Sequence, residues 1–196
     1  MFDVAVVGGG PAGLSAALFT EKNGLDTVVF DTDETWMHHA HLFNYLGVRS
    51  ISGSEFMEVA RGQVDDRGVT RKQGEEVTSV EQDGDGFVVS TEDDDYETDY
   101  VVLATGDDSD LAEELGCEFK DDETVAVDVT METSVEDAYA TGAMVRNGEY
   151  EAVISAGDGG AAGLNILSKE KGEHFHDFDT PDDVPTLADE TVEDED

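Results

Sequence analysis

Asp3-Val4-Ala5-Val6-Val7-Gly8-Gly9-Gly10-Pro11-Ala12-Gly13-Leu14-Ser15-Ala16-Ala17-Leu18-Phe19 is the stretch that decides the fold. A buried strand, a glycine turn and a helix follow one another in it. Gly8 allows the tight turn, Gly10 lets backbone approach a pyrophosphate, and Gly13 lets the helix pack on the strand. The first N–H groups of the helix, at the positive end of its dipole, then face two phosphates. Asn23-Gly24 ends the helix, and Thr27-Val28-Val29-Phe30 forms a second apolar strand with Asp31 at its end. Asp31 lies 18 residues past Gly13, where an acceptor for a ribose hydroxyl is expected. Together these features predict a βαβ unit that binds a dinucleotide. An ordinary βαβ turn without a ligand is the plain alternative.

Composition bounds the rest. A chain of 196 residues suffices for one domain with its own core. No apolar run approaches the ~20 residues needed to span a membrane, and no basic segment precedes an apolar one with a cleavage site. The single cysteine, Cys117, excludes an internal disulfide and a Cys-x-x-Cys pair. A cytoplasmic location is the resulting expectation. The charge is extreme, with 49 acids against 10 bases and a net charge of -39. Such self-repulsion destabilises a compact state in dilute salt. At molar salt the Debye length falls to about 3 Å, which screens most of it. The expectation is adaptation to a salt-rich cytoplasm, with neither nucleic acid nor an anionic membrane as a partner. Acidic disorder does not fit, because the acids alternate with well-patterned apolar strands.

Past the first unit, residues 32–50 read as an irregular connection holding Trp36, His38, His39 and His41. A helix is predicted over about 54–67, with Phe56, Met57, Val59, Ala60 and Val64 on one face and Gly68 ending it. Strands are predicted at 76–81, 87–91 and 96–103, the first two joined by the turn Asp83-Gly84-Asp85-Gly86. Residues 108–116 read as a short helix or turn, 123–129 and 138–142 as strands, and 150–167 as a helix. Gly157, Gly159, Gly160 and Gly163 lower the propensity of that last helix and predict close backbone packing. Residues 177–196 hold ten acids, no Lys or Arg and two prolines, and read as a solvated tail.

Several of these segments resemble the FAD domain of the thioredoxin-reductase-like flavoproteins, in the pyridine nucleotide-disulfide oxidoreductase family. The opening unit is similar to the FAD fingerprint. Asn44-Tyr45-Leu46-Gly47 resembles the family's Asn-Tyr/Trp-Pro-Gly segment beside the flavin, and Ile51–Met57 the helix start that follows it. Val101–Gly106 resembles the strand ending in Ala-Thr-Gly, and Thr133–Gly142 the stretch Thr-Ser-Val-Pro-Gly-Val-Tyr-Ala-Ala-Gly-Asp. Glu151–Gly159 resembles the helix whose N-terminus points at the flavin pyrimidine, where its partial positive charge stabilises the anionic reduced flavin.

Departures from the family pattern carry as much information. In two-domain members a nicotinamide-binding unit of roughly 100 residues separates the two strand ends. Here 34 residues, 107–140, separate Gly106 from Thr141. They resemble the remainder of the FAD domain, so the inserted unit is missing, and the family's Cys-x-x-Cys with it. Ala143 replaces the aspartate that hydrogen-bonds the ribityl chain, and Glu151 stands where the family has glutamine. Losing one charge-assisted bond costs on the order of 1.5–3 kcal/mol, and a carboxylate near the flavin N1/O2 edge opposes an anionic reduced form.

The resemblance therefore implies an α/β, Rossmann-like FAD-binding domain over 1–176, of three-layer ββα type, with a central parallel sheet, helices and a three-stranded β-meander. FAD is the implied cofactor. Gly8, Gly10, Pro11, Ala12 and Gly13 would hold its pyrophosphate and Asp31 its adenosine ribose, with Val77 along the adenine. Asn44, Ala104, Thr105, Gly106, Gly142, Ala143, Glu151 and Ala152 would surround the ribityl chain and flavin. The implied activity is FAD-dependent oxidoreduction, with electrons from free NAD(P)H or a partner protein such as a ferredoxin, no protein nucleophile and no metal. Disulfide reduction by this chain alone is excluded by its single cysteine. A homodimer is a candidate assembly. The alternatives are a non-catalytic FAD-binding regulatory or docking module, and NAD in the same fingerprint. For the histidine cluster the readings are surface loop, cofactor or partner contact, and metal, in that order. Cys117 reads as a buried structural thiol. Trp36 reads as a ring shield or a packed loop aromatic, and Asp158 as a helix-packing residue.

Overall fold

In the computed structural model, which describes residues 1–179, the opening stretch is strand β1 (Phe2–Val7) running into helix α1 (Pro11–Lys22). Val4, Ala5 and Val6 are wholly buried, because parallel strands flank β1 on both sides. On one side lies β2 (Thr27–Asp31), with Val4 opposite Thr27 and Val7 opposite Phe30. On the other lies β8 (Asp95–Leu103), with Val4 opposite Tyr100 and Val7 opposite Leu103. Asn23 caps α1 and Gly24 turns the chain at φ +96.

The 32–50 connection is more ordered than its composition suggests. A 3-10 turn (Trp36–His39) starts at Thr35, whose hydroxyl accepts from the Met37 N–H at 3.3 Å. Two short strands, β3 (His41–Leu42) and β4 (Ile51–Ser52), then close an antiparallel loop. Helix α2 (Gly53–Asp65) follows with a full capping box between Ser52 and Glu55.

Beyond α2 the sequence pattern misses a strand. β5 (Thr70–Gln73) pairs in parallel with β2 at the sheet edge. Its residues Thr70-Arg71-Lys72-Gln73 carry no apolar signal, since ladder pairing and side-chain ion pairs hold it there. The β-meander forms as expected from β6 (Val77–Asp83), β7 (Gly86–Thr91) and β8. It is continuous with the parallel strands, giving the order β5-β2-β1-β8-β7-β6 with β9 (Ala138–Ala140) also on β8. β8 serves two partners in succession: its start pairs with β7, and Val101–Leu103 pair in parallel with β9.

Helix α3 (Asp110–Leu115) occupies the short join after β8. The strand expected over 123–129 does not form; that segment makes one isolated bridge, Phe119 to Val125, and its backbone bonds go to Met144 and Glu118. A second 3-10 turn (Gly142–Val145) leads to α4 (Ala152–Lys171), one turn longer at its C-terminus than the pattern suggests. Three of the four glycines of α4 make the expected close contacts. A Cβ at Gly159 would lie 1.9 Å from the Ala12 carbonyl oxygen, and one at Gly163 2.9 Å from the Phe19 Cβ. Gly160 faces the Phe19 ring, whereas Gly157 faces open space. Within the expected acidic tail, Lys22 pairs with Asp177 at 2.8 Å and with Asp179. The rest of that segment, 180–196, lies outside the described residues.

The two glycines predict opposite effects. Gly159→Ala forces α4 off α1 and should cost about 1–3 kcal/mol or more. Gly157→Ala should gain up to about 1 kcal/mol of helix propensity. Thermal melts followed by circular dichroism in molar KCl check this; equal midpoints for the two variants would refute the packing account.

Candidate functional site

The glycine turn, the end of β8 and the starts of α1 and α4 meet at the C-terminal edge of the parallel strands, where ligands bind in open α/β sheets. Gly8 (φ +111) sits so close to β8 that a Cβ would lie 2.2 Å from the Ala104 carbonyl oxygen. Gly13 approaches Gly8 itself, with only 1.9 Å between a built Cβ and the Gly8 oxygen. Gly10 differs, since the nearest atom to its built Cβ is the Thr35 hydroxyl at 3.8 Å. The first and third fingerprint glycines are thus consumed by packing, while the second leaves backbone open to a ligand. Gly10 also caps α1 without any side-chain acceptor, and Pro11 occupies the first turn. The amides of that turn thus have no side-chain acceptor, the arrangement in which helix N-termini receive anions.

Asp31 ends β2 against the glycine turn. It is buried, and a Cβ at Gly9 would lie 2.3 Å from its carboxylate. Its Oδ1 accepts the Asp33 N–H at 2.9 Å. Its Oδ2 accepts Arg61 at 2.9 Å and Gln73 at 3.2 Å. Arg61 reaches over from α2 and also pairs with Asp33. Its Nε is buried without a partner among the described residues, an orphaned donor beside the expected ribose acceptor. Asp33 continues outward to His38 Nε2 at 2.8 Å, and His38 Nδ1 meets the Ser54 hydroxyl at 3.0 Å. Neither Arg61 nor Gln73 is visible in the sequence as a site residue, because one lies on a helix and the other on the unmarked strand β5. Val77 starts β6, three residues after Gly74, whose N–H donates to the Asp31 carbonyl.

Past the end of β8, Thr105 donates to the Asp108 carbonyl at 2.6 Å, and Gly106 turns the chain at φ +76. Gly142, also at φ +76, faces the Ala12 methyl and Ser155. Ala143 follows it with no polar side chain, and Ala152 opens α4 behind the uncapped N-cap Glu151. Asn44 and Glu151 meet directly: the Asn44 amide donates to Glu151 Oε2 at 2.5 Å. The loop after β3 is thereby tied to the start of α4 across 107 residues of chain. The turn carrying Gly142 and Ala143 is anchored by Arg146, which grips the buried Asp158 of α4 through Nε and one terminal guanidinium nitrogen. Asp158 therefore packs a helix, as its position suggests, and Arg146 is its unforeseen partner.

Cys117 is buried, and burial pushes its thiol up from the ordinary value. Trp36 corrects the reading as a packed loop aromatic. It is 78% exposed, with its ring edge-on to that of His39.

These features define an α/β protein with a glycine turn at the edge of its parallel strands. The chain belongs to the pyridine nucleotide-disulphide oxidoreductase family, whose sequence profile matches residues 2–52 and 41–160. It is 32% identical over 108 residues to an alkyl hydroperoxide reductase of Staphylococcus aureus, covering 54% of this chain and 21% of that protein. It is 26% identical over 112 residues to a ferredoxin–NADP reductase of Levilactobacillus brevis, covering 54% of this chain and 34% of that protein. The chain thus matches between a fifth and a third of the length of these curated relatives. Among solved structures, a thioredoxin reductase from Gloeobacter violaceus superposes with a TM-score of 0.82 at 21% identity, covering 91% of this chain and 99% of that one. A ferredoxin-flavin thioredoxin reductase from Clostridium acetobutylicum gives 0.77 at 19% identity, covering 88% and 99%. The fold is that of these reductases.

The Asp33 network carries a pH prediction. Hydrogen bonds from Arg61 first, and His38 second, hold the Asp33 carboxyl below its ordinary value. A carboxyl with a depressed folded-state pKa contributes stability above its unfolded value, about 3.9, and loses it as pH falls through the folded value. Urea midpoints of the protein and of Asp33→Asn should differ at pH 6 and converge towards pH 3. A gap that stays constant over that range would contradict this assignment.

Proposed function

We propose that this chain binds FAD in the groove between the N-termini of α1 and α4, and that it works as an FAD-dependent oxidoreductase. One observation supports this above the others. The Gly8–Ala12 turn, Ala104, Gly142 and Gly159, drawn from four separated segments, converge on one edge of the sheet, with backbone contacts from Gly8 to Ala104 and from Gly159 to Ala12 and with Gly142 against the Ala12 methyl. The open Gly10 and the uncapped start of α1 would hold the pyrophosphate. Asp31, oriented by Arg61 and Gln73, would accept from the adenosine ribose, with Val77 near the adenine. Asn44, Thr105, Gly106, Gly142, Ala143, Glu151 and Ala152 would line the ribityl and flavin portion. When bound, the flavin supplies electron transfer, and hydride acceptance where a nicotinamide is the donor. The chain's own residues bind it, orient it and set the charge beside it. A salt-rich cytoplasm remains the proposed setting, on the strength of the -39 charge.

Electrons must reach this site from outside the chain's own 107–140 join, which has no room for a nicotinamide-binding unit. Free NAD(P)H and a ferredoxin-type partner are the candidate donors. That short join equally favours a second reading, a non-catalytic FAD-binding module. Purification in molar KCl followed by a visible spectrum tests both. A yellow protein that bleaches anaerobically with NADH, NADPH or reduced ferredoxin supports the oxidoreductase. Yellow protein that bleaches only with dithionite supports the module, and colourless protein that takes up no FAD removes both.

Two substitutions probe the departures at the flavin end. Ala143→Asp should tighten FAD binding by about tenfold or more, equivalent to the roughly 1.5–3 kcal/mol of one charge-assisted bond. Glu151→Gln should raise the flavin midpoint potential, since it removes a negative charge that opposes the anionic reduced form. Equilibrium dialysis and anaerobic dye titration measure the two quantities; no change in either would defeat this account of the site.

A further inference from the structure

Residues 35–54 form the longest run without an Asp or Glu in a chain where 49 of 196 residues are acidic. The run carries Arg49, the histidines 38, 39 and 41, and no Lys. It is also largely on the surface. Phe43 is 75% exposed and Leu46 92% exposed, although Leu42 beneath them is buried. Tyr45 turns inward, with its ring 5.2 Å from that of Phe56, which leaves Phe43 and Leu46 outermost. Residues 43–49 line a groove of about 440 Å³ with Arg49 in its wall. The Asn44–Glu151 bond joins this loop to the start of α4, where Tyr150 and Val153 are exposed as well. An apolar face with Arg49 at its edge thus borders the groove assigned to the flavin, with Glu149 and Glu151 beside Tyr150 on its α4 side. Exposed apolar patches rimmed by polar residues mark interaction sites. On a chain of net charge -39 the loop part of this face, within 35–54, adds no carboxylate of its own.

We propose that this face, centred on Phe43, Leu46 and Arg49 and flanked by Tyr150, docks a small acidic electron-transfer protein. The inference rests on the FAD reading above. The docked carrier, an iron–sulfur protein of the ferredoxin type, is oxidised by one electron at each encounter. Two encounters, with protons taken from water, supply the two electrons that reduce the flavin fully. Acidic side chains on the carrier would meet Arg49 and the histidines, while Phe43 and Leu46 would meet its apolar centre. Because charge is screened within about 3 Å at molar salt, the apolar residues carry most of the contact there.

The test uses the FAD-loaded protein in molar KCl and an acidic [2Fe–2S] ferredoxin, photochemically reduced in advance and mixed anaerobically in a stopped-flow instrument. Leu46→Asp should slow ferredoxin-driven flavin reduction at least tenfold, and Arg49→Glu by a smaller factor, because charge is screened at molar salt. FAD content and direct photoreduction should stay as in the unsubstituted protein, which shows that the variants fold. Variants reduced as fast as the unsubstituted protein overturn the proposal. So does a flavin-loaded protein that ferredoxin does not reduce, a result that leaves the FAD reading standing. An elution volume of a dimer that Leu46→Asp converts to monomer also overturns it, assigning the face to a second copy of this chain. Absence of flavin from the unsubstituted protein, by contrast, is the failure of the FAD reading itself.

Discussion

Backbone contact between the first turn of α1 and the middle of α4 is the constraint on which the rest of this structure depends. At Gly159 the two helices touch without any side chain between them, at the Ala12 carbonyl. The same turn of α1 touches β1 through Gly13 and Gly8, and Gly8 touches β8 through the Ala104 carbonyl. Four elements are therefore stacked at distances that only glycine permits. Protein interiors are packed too densely to absorb an added methyl at such points without displacement. The groove at the strand ends takes its shape from this stack, because the same contacts position Gly10, Gly142 and the start of α4.

Electrostatics shape the rest of the molecule. Ten cations cannot neutralise 49 acids, so where the cations are placed matters more than their number. Arg61 and Arg146 are set against the buried carboxylates Asp31 and Asp158. Removing one partner from a buried pair leaves an uncompensated charge and is costly. The more exposed pairs, such as Lys72 with Glu75, contribute little by comparison. Lys169 gathers Glu132 and Asp137 near the end of α4, tying the loop before β9 to that helix. The acid-free run at 35–54 is the surface counterpart of this economy.

Much of the fold was legible in the sequence because its signals are local. The apolar run of β1, the glycine turn and the Asp83–Gly86 hairpin each act through neighbouring residues, and the structure contains all three. The glycines of α4 were legible as close packing, though not as contacts with Ala12 and Phe19 in particular. β5 was illegible, since Thr70-Arg71-Lys72-Gln73 is a strand only by virtue of the β2 edge it pairs with. The apolar alternation at 123–129 misled for the converse reason. Its backbone finds partners in Met144 and Glu118 rather than in a neighbouring strand. Arg61, Gln73 and Arg146 escaped notice because a long polar side chain on a helix, edge strand or turn looks solvated until its partner is known.

The sequence by itself determined the βαβ opening, its glycine turn and the shortness of the 107–140 join. These follow from backbone conformations that glycine alone adopts and from chain length. Only the tertiary structure decided which charges share a site. Asp31 with Arg61 and Gln73, Asn44 with Glu151, and Arg146 with Asp158 are brought together by packing of elements far apart in the chain. Pairing between distant side chains depends on the direction in which each helix and strand presents them, and no local pattern encodes that direction.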